Sequence, residues 1–151
     1  MTAGTLRRVD DLCIDADGSS TRLASQWLAK LASEFVVPVT ELDRLDLCLN
    51  EVLANIIRHG SESVSRPVVH IVFQVEQEDG RSVATVTVTD GGPAFDMTLA
   101  GNHRQPASLA EAQPGGLGLL MIRSFSDALS YHHSDGKNHL SFAVRWINFD
   151  E

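Results

Sequence analysis

Two alternating runs joined by an Asp-Gly turn constrain the fold of this chain most. Val69, Ile71, Phe73 and Val75 alternate with Val68, His70, Val72 and Gln74, and Val83 to Asp90 alternates again with Ala84, Val86 and Val88 on one face. A period of two belongs to a strand with two different faces. Glu78-Asp79-Gly80-Arg81 supplies a turn between the runs, so the pair reads as a β-hairpin whose second strand ends at Asp90. Leu140, Phe142, Val144 and Trp146 alternate in a final strand, which follows a short strand around Tyr131 and a turn at Ser134-Asp135-Gly136. Residues 5–14 form an opening strand interrupted by Arg7, Arg8, Asp10 and Asp11, which suits an edge position.

Helices alternate with these strands. Asp17-Gly18-Ser19-Ser20 provides a turn and a cap, after which Leu23, Trp27, Leu28, Leu31 and Phe35 recur at helical spacing up to about Pro38. Thr40 caps the next helix, with Glu41 and Asp43 in its first turn complementing the dipole. Its apolar stripe is Leu42, Leu45, Leu49, Val52, Leu53 and Ile56, and Gly60 stops it. Glu51, Asn55 and His59 follow one another at steps of four, and Glu51 and Asn55 lie away from the stripe. Leu117, Leu120, Met121 and Phe125 predict a further helix whose first turn follows the glycines at 115–118. The 91–115 segment has no periodicity but holds four glycines and three prolines, the length and composition of a functional loop or lid.

The 151 residues, 43% of them hydrophobic, fit one domain spanning 1–151. A net charge of -8 argues against a nucleic-acid surface, which clusters Lys and Arg. No apolar run approaches the roughly 20 residues that cross a bilayer, and Met1 to Asp17 lacks a signal-peptide core. Cys13 and Cys48 have no metal-ligand or redox spacing and read as buried reduced thiols. A cytoplasmic location is the expectation.

Several residues can carry chemistry. Free N–H groups where Gly115 to Gly118 open a helix suit an anion. Asn55 offers a neutral oxygen of the kind Mg²⁺ accepts beside substrate phosphates, and Glu51 can serve as a general base. Taken singly, each also has an ordinary structural reading: a turn glycine, a solvated helix face, or, for His59, a side chain at a helix end.

Together, Glu51-x-x-x-Asn55-x-x-x-His59, Asp90-x-Gly92-x-x-Phe95-Asp96 and Gly116-x-Gly118-Leu119, with a lid-length loop between the last two, resemble the N, G1 and G2 boxes of the gyrase, chaperone, histidine-kinase and mismatch-repair (GHKL) superfamily. Within it, Asn50-Glu51, the Gly116-Leu117-Gly118-Leu119 helix start and Asp127 through Tyr131 are similar to the stand-alone anti-sigma-factor serine kinases. The resemblance implies an α/β (α+β) two-layer sandwich of Bergerat type, with a mixed, mainly antiparallel sheet and helices on one face. It implies ATP and Mg²⁺ as cofactors, with Asn55 holding Mg²⁺ and Glu51 as catalytic base. Asp90 would accept a hydrogen bond from the adenine amino group, Gly92 would let the chain pass close to the base, and Phe95, Gly116, Leu117, Gly118 and Leu119 would complete the nucleotide-binding set.

The function implied is phosphorylation of an anti-anti-sigma protein of the STAS type and sequestration of a sigma factor, with a homodimer as one expectation. The alternative is a regulatory adaptor of the same fold without kinase activity. A sensor histidine kinase fits less well, because the first 50 residues contain no His. Many relatives carry a Gly-Thr pair before the last strand where this chain reads Gly136-Lys137-Asn138-His139-Leu140-Ser141, leaving Asn138 and Ser141 as rival substitutes in the adenine pocket. His103 and Arg104 in the lid are either γ-phosphate contacts or exposed loop charges.

Overall fold

A computed structural model describes residues 5–60, 68–96, 98 and 116–148, with side chains throughout except at 59–60 and 116–120. In chain order the elements are β1 (Leu6–Asp15), α1 (Gly18–Glu34), α2 (Val39–Gly60), β2 (Val68–Glu78), β3 (Arg81–Asp90), α3 (Gly116–Phe125), β4 (Ala128–Ser134) and β5 (Lys137–Ile147). The strands form one sheet in the order β1-β2-β3-β5-β4, and each described ladder is antiparallel. The fold is thus the expected two-layer α+β sandwich, with its sheet at the antiparallel end of the expected range. The lid residues His103 and Arg104 lie outside the described residues.

Both hairpin turns have the backbone that their Asp-Gly pairs favour. Asp79 and Gly80 have φ of 54° and 76°, and Asp135 and Gly136 have φ of 54° and 73°. Two consecutive positive φ angles make the turn twist that matches antiparallel strands, and Asp and Gly adopt it at low cost. These turns fix the registers Gln77↔Ser82 and His133↔Asn138. Because side chains alternate, register also decides which set is covered. Val69, Ile71, Phe73, Val75, Ala84, Val86, Val88, Leu140, Phe142 and Val144 all fall on the helix side and are buried.

α1 starts where the Asp17 carboxylate accepts from the Ser20 amide at 2.8 Å and the Ser19 hydroxyl at 2.7 Å. These bonds, the Ser19 one foremost, hold the Asp17 carboxyl below its ordinary range. The helix stops at Glu34, before Pro38. The Val37 amide turns back to Ala32 and the Val36 amide to Ser33, at 2.8 and 3.3 Å. That double closure places Val36 at φ 61°, a position glycine usually fills.

α2 carries the packing. Leu45, Cys48, Leu49, Val52, Leu53 and Ile56 are 0–5% exposed. Because α2 packs against α1, α3, β3 and β5 together, its buried arc is wider than a single stripe. Asn55 consequently sits inside that arc at 1% exposure, a correction to the expectation that it lies away from the apolar stripe. Arg44 joins α2 to the far side of the domain, donating to the Phe125 carbonyl at 2.9 Å and to Asp127 at 3.0 Å. Asp127 also accepts from the Arg145 amide at 2.7 Å. Partial burial raises the Asp127 pKa, but the Arg145 amide and Arg44 outweigh it, so the carboxyl is held below its ordinary value. The stability it lends is present above the ordinary carboxylate range and is lost as pH falls through that lowered value.

The cysteines divide. Cys48 is buried against α3, and burial pushes its thiol up to about 11. Cys13 is exposed, which corrects the expectation that both thiols are buried. It pairs with His70, one residue out of step with the covered Ile14↔Val69 pair, and therefore faces away from the helices.

Candidate nucleotide site

Four elements meet at one end of the sandwich: the last turns of α2, the end of β3 with the loop leaving it, β4 at Tyr131, and the start of β5. Their side chains line a cleft formed by Asn55, Asp90, Gly92 and Phe95 with Val52, Ile56, Val88, Pro93, Tyr131, Asn138 and Leu140. The cleft thus brings together four of the predicted site residues. Gly116 to Leu119 form the first turn of α3, so the glycines stand within the helix rather than before it. First-turn N–H groups have no partner inside their own helix, which keeps the anion-binding capacity expected of this stretch.

Asp90 closes β3 opposite Asn138 and is 7% exposed. Its Oδ1 accepts from the Gly92 amide at 2.9 Å and from Asn138 Nδ2 at 3.2 Å. Oδ2 has no partner among the described residues, and no buried side-chain oxygen there is left unsatisfied, so Oδ2 is the accessible oxygen. A carboxylate presenting one free oxygen between apolar walls can read an exocyclic amine.

Gly92 has a reason to be glycine beyond loop flexibility. A β-carbon there would stand 2.9 Å from Asp90 Oδ1. Both the Gly92 amide and Asn138 hold that oxygen, so it has little freedom to retreat. Forced overpacking costs about 1–3 kcal/mol, or roughly 5- to 150-fold in affinity if the strain falls on the binding geometry. Gly92→Ala is expected to lower ATP affinity by at least about fivefold while leaving thermal unfolding within a few degrees of wild type, as checked by titration calorimetry and a melting curve. An unchanged affinity would show that Asp90 can shift without consequence.

On the opposite wall, Asn55 Nδ2 donates to the Glu51 carbonyl at 2.8 Å, and Arg58 Nη1 donates to Asn55 Oδ1 at 3.0 Å. These two bonds fix which end of the amide is oxygen. A buried neutral oxygen that already accepts from a cation is chemically suited to Mg²⁺, which takes one or two protein oxygens and completes its shell from phosphates and water. Glu51 is half-buried one turn earlier, and its carboxylate has no hydrogen bond or ion pair among the described residues. It stands beside the cleft but not among its described lining residues.

Asn50, by contrast, faces α1: its Nδ2 donates to Ser25 Oγ at 3.1 Å and to the Asp46 carbonyl at 2.7 Å. His59 continues the α2 backbone. The loop leaving the site begins with Asp96 capping Thr98, whose amide is 2.9 Å from Asp96 Oδ1, and Arg123 of α3 donates to the Thr98 carbonyl. The start of the loop is thereby tied to α3.

Tyr131 and Asn138 were not predicted as site residues, though Asn138 stood as a rival to Ser141. The structure separates them. Asn138 is 6% exposed in the cleft, whereas Ser141 Oγ pairs with Thr87 Oγ1 at 2.8 Å on the other face. The signal was legible in strand phase: Asn138 shares the phase of Leu140, Phe142 and Val144, and Ser141 does not. A polar residue on the buried phase of a strand demands an explanation. The apolar lining, Val52, Ile56, Val88 and Leu140, carried no such mark because core residues look the same in sequence.

The described walls enclose only about 20 Å³, room for about one water.

The histidine kinase-like ATPase domain family matches residues 14–144. The serine/threonine-protein kinase BtrW of Bordetella bronchiseptica is 31% identical over 134 residues, covering 89% of this chain and 92% of that protein. Among solved structures, the RsbU and RsbW domains of Rv1364c from Mycobacterium tuberculosis align with a TM-score of 0.57 at 19% identity, over 94% of this chain and 35% of that longer one. The SiaB-SiaC complex from Pseudomonas aeruginosa aligns with a TM-score of 0.52 at 19% identity, over 89% of each chain. The structures support the fold, and the family match spans the cleft from α2 to β5. On that match, this chain belongs to the histidine kinase-like ATPase domain family.

Proposed function

We propose that this chain is an ATP-dependent protein serine kinase that phosphorylates a STAS-type anti-anti-sigma protein and sequesters a sigma factor when that partner is unavailable. The observation that carries the nucleotide reading is the accessible Oδ2 of Asp90, whose other oxygen, Oδ1, is held by Gly92 and Asn138 in an apolar cleft that also contains Asn55. The kinase reading is supported by the likeness to BtrW, and the partner reading by the resemblance of the boxes to anti-sigma kinases.

In this reading Asp90 accepts from the adenine amino group, while Val52, Ile56, Val88 and Leu140 flank the ring. Asn55 Oδ1, which now accepts from Arg58, is the oxygen that would hold Mg²⁺, and that ion would supply charge to offset the phosphates. The first-turn amides of α3 face phosphate oxygens. Glu51 takes the proton of the partner's serine hydroxyl as its oxygen bonds to the γ-phosphorus and the bond to the β–γ bridging oxygen breaks. Little covalent work falls to the protein in such a transfer, and positioning supplies most of the rate.

One observation favours the adaptor as a second reading: the oxygen assigned to Mg²⁺ is the one that Arg58 holds. An adaptor would keep that bond and dock its partner without transfer.

Titration of MgATP and MgGTP into wild type and Asp90→Asn tests the site. Hydrogen bonds to charged groups contribute about 1.5–3 kcal/mol, so Asp90→Asn is expected to lower ATP affinity by roughly 10- to 150-fold and to erase a preference for ATP over GTP. No wild-type binding at millimolar nucleotide would overturn the assignment. Incubating captured partners with γ-labelled ATP then separates the readings, since label on a STAS-like partner supports the kinase and stable association without label supports the adaptor.

A further inference from the structure

We infer that Asn138 is a positioning residue that sets adenine selectivity by fixing Asp90 and the loop behind it, rather than by touching the nucleotide itself. The inference rests on the nucleotide reading above and deepens it.

Every polar atom of the Asn138 side chain is engaged within the protein. Nδ2 faces Asp90 Oδ1 at 3.2 Å, the Pro93 carbonyl at 2.9 Å and the Gly92 carbonyl at 3.3 Å. Oδ1 accepts from the Phe95 amide at 3.2 Å and from the Tyr131 hydroxyl. Two N–H bonds already shared among three acceptors leave none for a ligand. One amide thus ties the end of β3, the next five residues and β4 to the start of β5.

The consequence for recognition is directional. With the Gly92 amide and Asn138 both on Oδ1, the carboxylate cannot rotate, and Oδ2 stays turned to the cleft as an acceptor. An acceptor at that point favours the 6-amino group of adenine and disfavours the 6-oxo group of guanine. A hydroxyl residue at position 138 is too short to span the same set of partners, so it is the length and the two-ended chemistry of the amide that let one side chain reach all of them. The conformation is stiff because each bond is partly or wholly buried, where an orphaned partner is costly.

Asn138→Asp tests this with a readout that general damage would not reproduce. The substitution keeps shape but turns Nδ2 into an acceptor facing Asp90 and two carbonyls. Near pH 8 the two carboxylates repel, and one of a close pair takes a strongly raised pKa. ATP affinity relative to wild type should fall about tenfold or more there. Near pH 5.5 a proton bound by the pair restores a donor to Asp90 Oδ1, and the deficit relative to wild type at the same pH should shrink to about threefold or less.

A deficit equal at both pH values, or none at either, would overturn the inference. Should Asn138→Asp not fold, Tyr131→Phe removes only the hydroxyl that steadies Oδ1. It is expected to reduce the ATP-over-GTP preference by about threefold, and an unchanged preference would count equally against the clamp. Wild type that binds no ATP would sink the nucleotide reading itself. Wild-type binding with unaffected variants would sink only the role of Asn138.

Discussion

Glu51→Gln is expected to leave ATP affinity within about threefold of wild type while slowing phosphate transfer roughly 10²- to 10⁴-fold, the usual contribution of a positioned general base. The expectation follows from its place on α2. Glu51 is half-buried one turn before Asn55, whose Nδ2 binds its carbonyl, and that backbone bond is indifferent to the side chain. Gln keeps the length and helix propensity of Glu, so the local helix should persist. Only the ability to accept a proton as an anion is lost. Nucleotide affinity by calorimetry and single-turnover transfer to the partner separate the two effects. Loss of affinity with a proportionate loss of transfer would make Glu51 a scaffold residue, and unchanged transfer would remove it from the chemistry.

Phe73→Ala is the largest expected stability effect, about 3–5 kcal/mol. Phe73 is 0% exposed at the middle of β2, stacked on Phe35 with ring centroids 5.7 Å apart and met edge-on by Trp27 at 6.4 Å. Removing the ring leaves a cavity between β2 and α1, and the packed neighbours can only partly collapse into it. Val72, its neighbour on the open face, provides the contrast. Val72→Ala removes half-exposed surface and should cost less than about 1 kcal/mol. Urea unfolding of both variants checks the pair, and equal losses would mean that the helix layer does not cover the sheet as described.

Much of this site could be read in the chain before it was folded. The steps of four from Glu51 to Asn55, the strand ending at Asp90 and the glycines opening α3 are local patterns, and local patterns depend on dihedral preferences and periodicity alone. Asn55 was picked out for its chemistry but expected away from the buried stripe, and the structure buries it, because the exposure of a helix face depends on how many elements pack around it. The burial of Cys13 was misjudged for a related reason: its phase put it opposite Ile14, and the helices cover only the Ile14 side of the sheet.

By itself, the sequence determined the element order, the two Asp-Gly turns with their positive φ angles, the covered phase of β2, β3 and β5 and the set of residue types from which a nucleotide site can be built. Tertiary structure alone decided which of them meet. Asn138 reaches Asp90 across 48 positions of chain through the β3–β5 register, and the bar to a side chain at Gly92 comes from the carboxylate which that register holds in place. Dihedral preference acts between neighbours in sequence, whereas register and coverage are set by burial of the whole apolar face at once. That is why the boxes were visible one by one and the clamp joining Asp90, Gly92, Phe95 and Tyr131 was not.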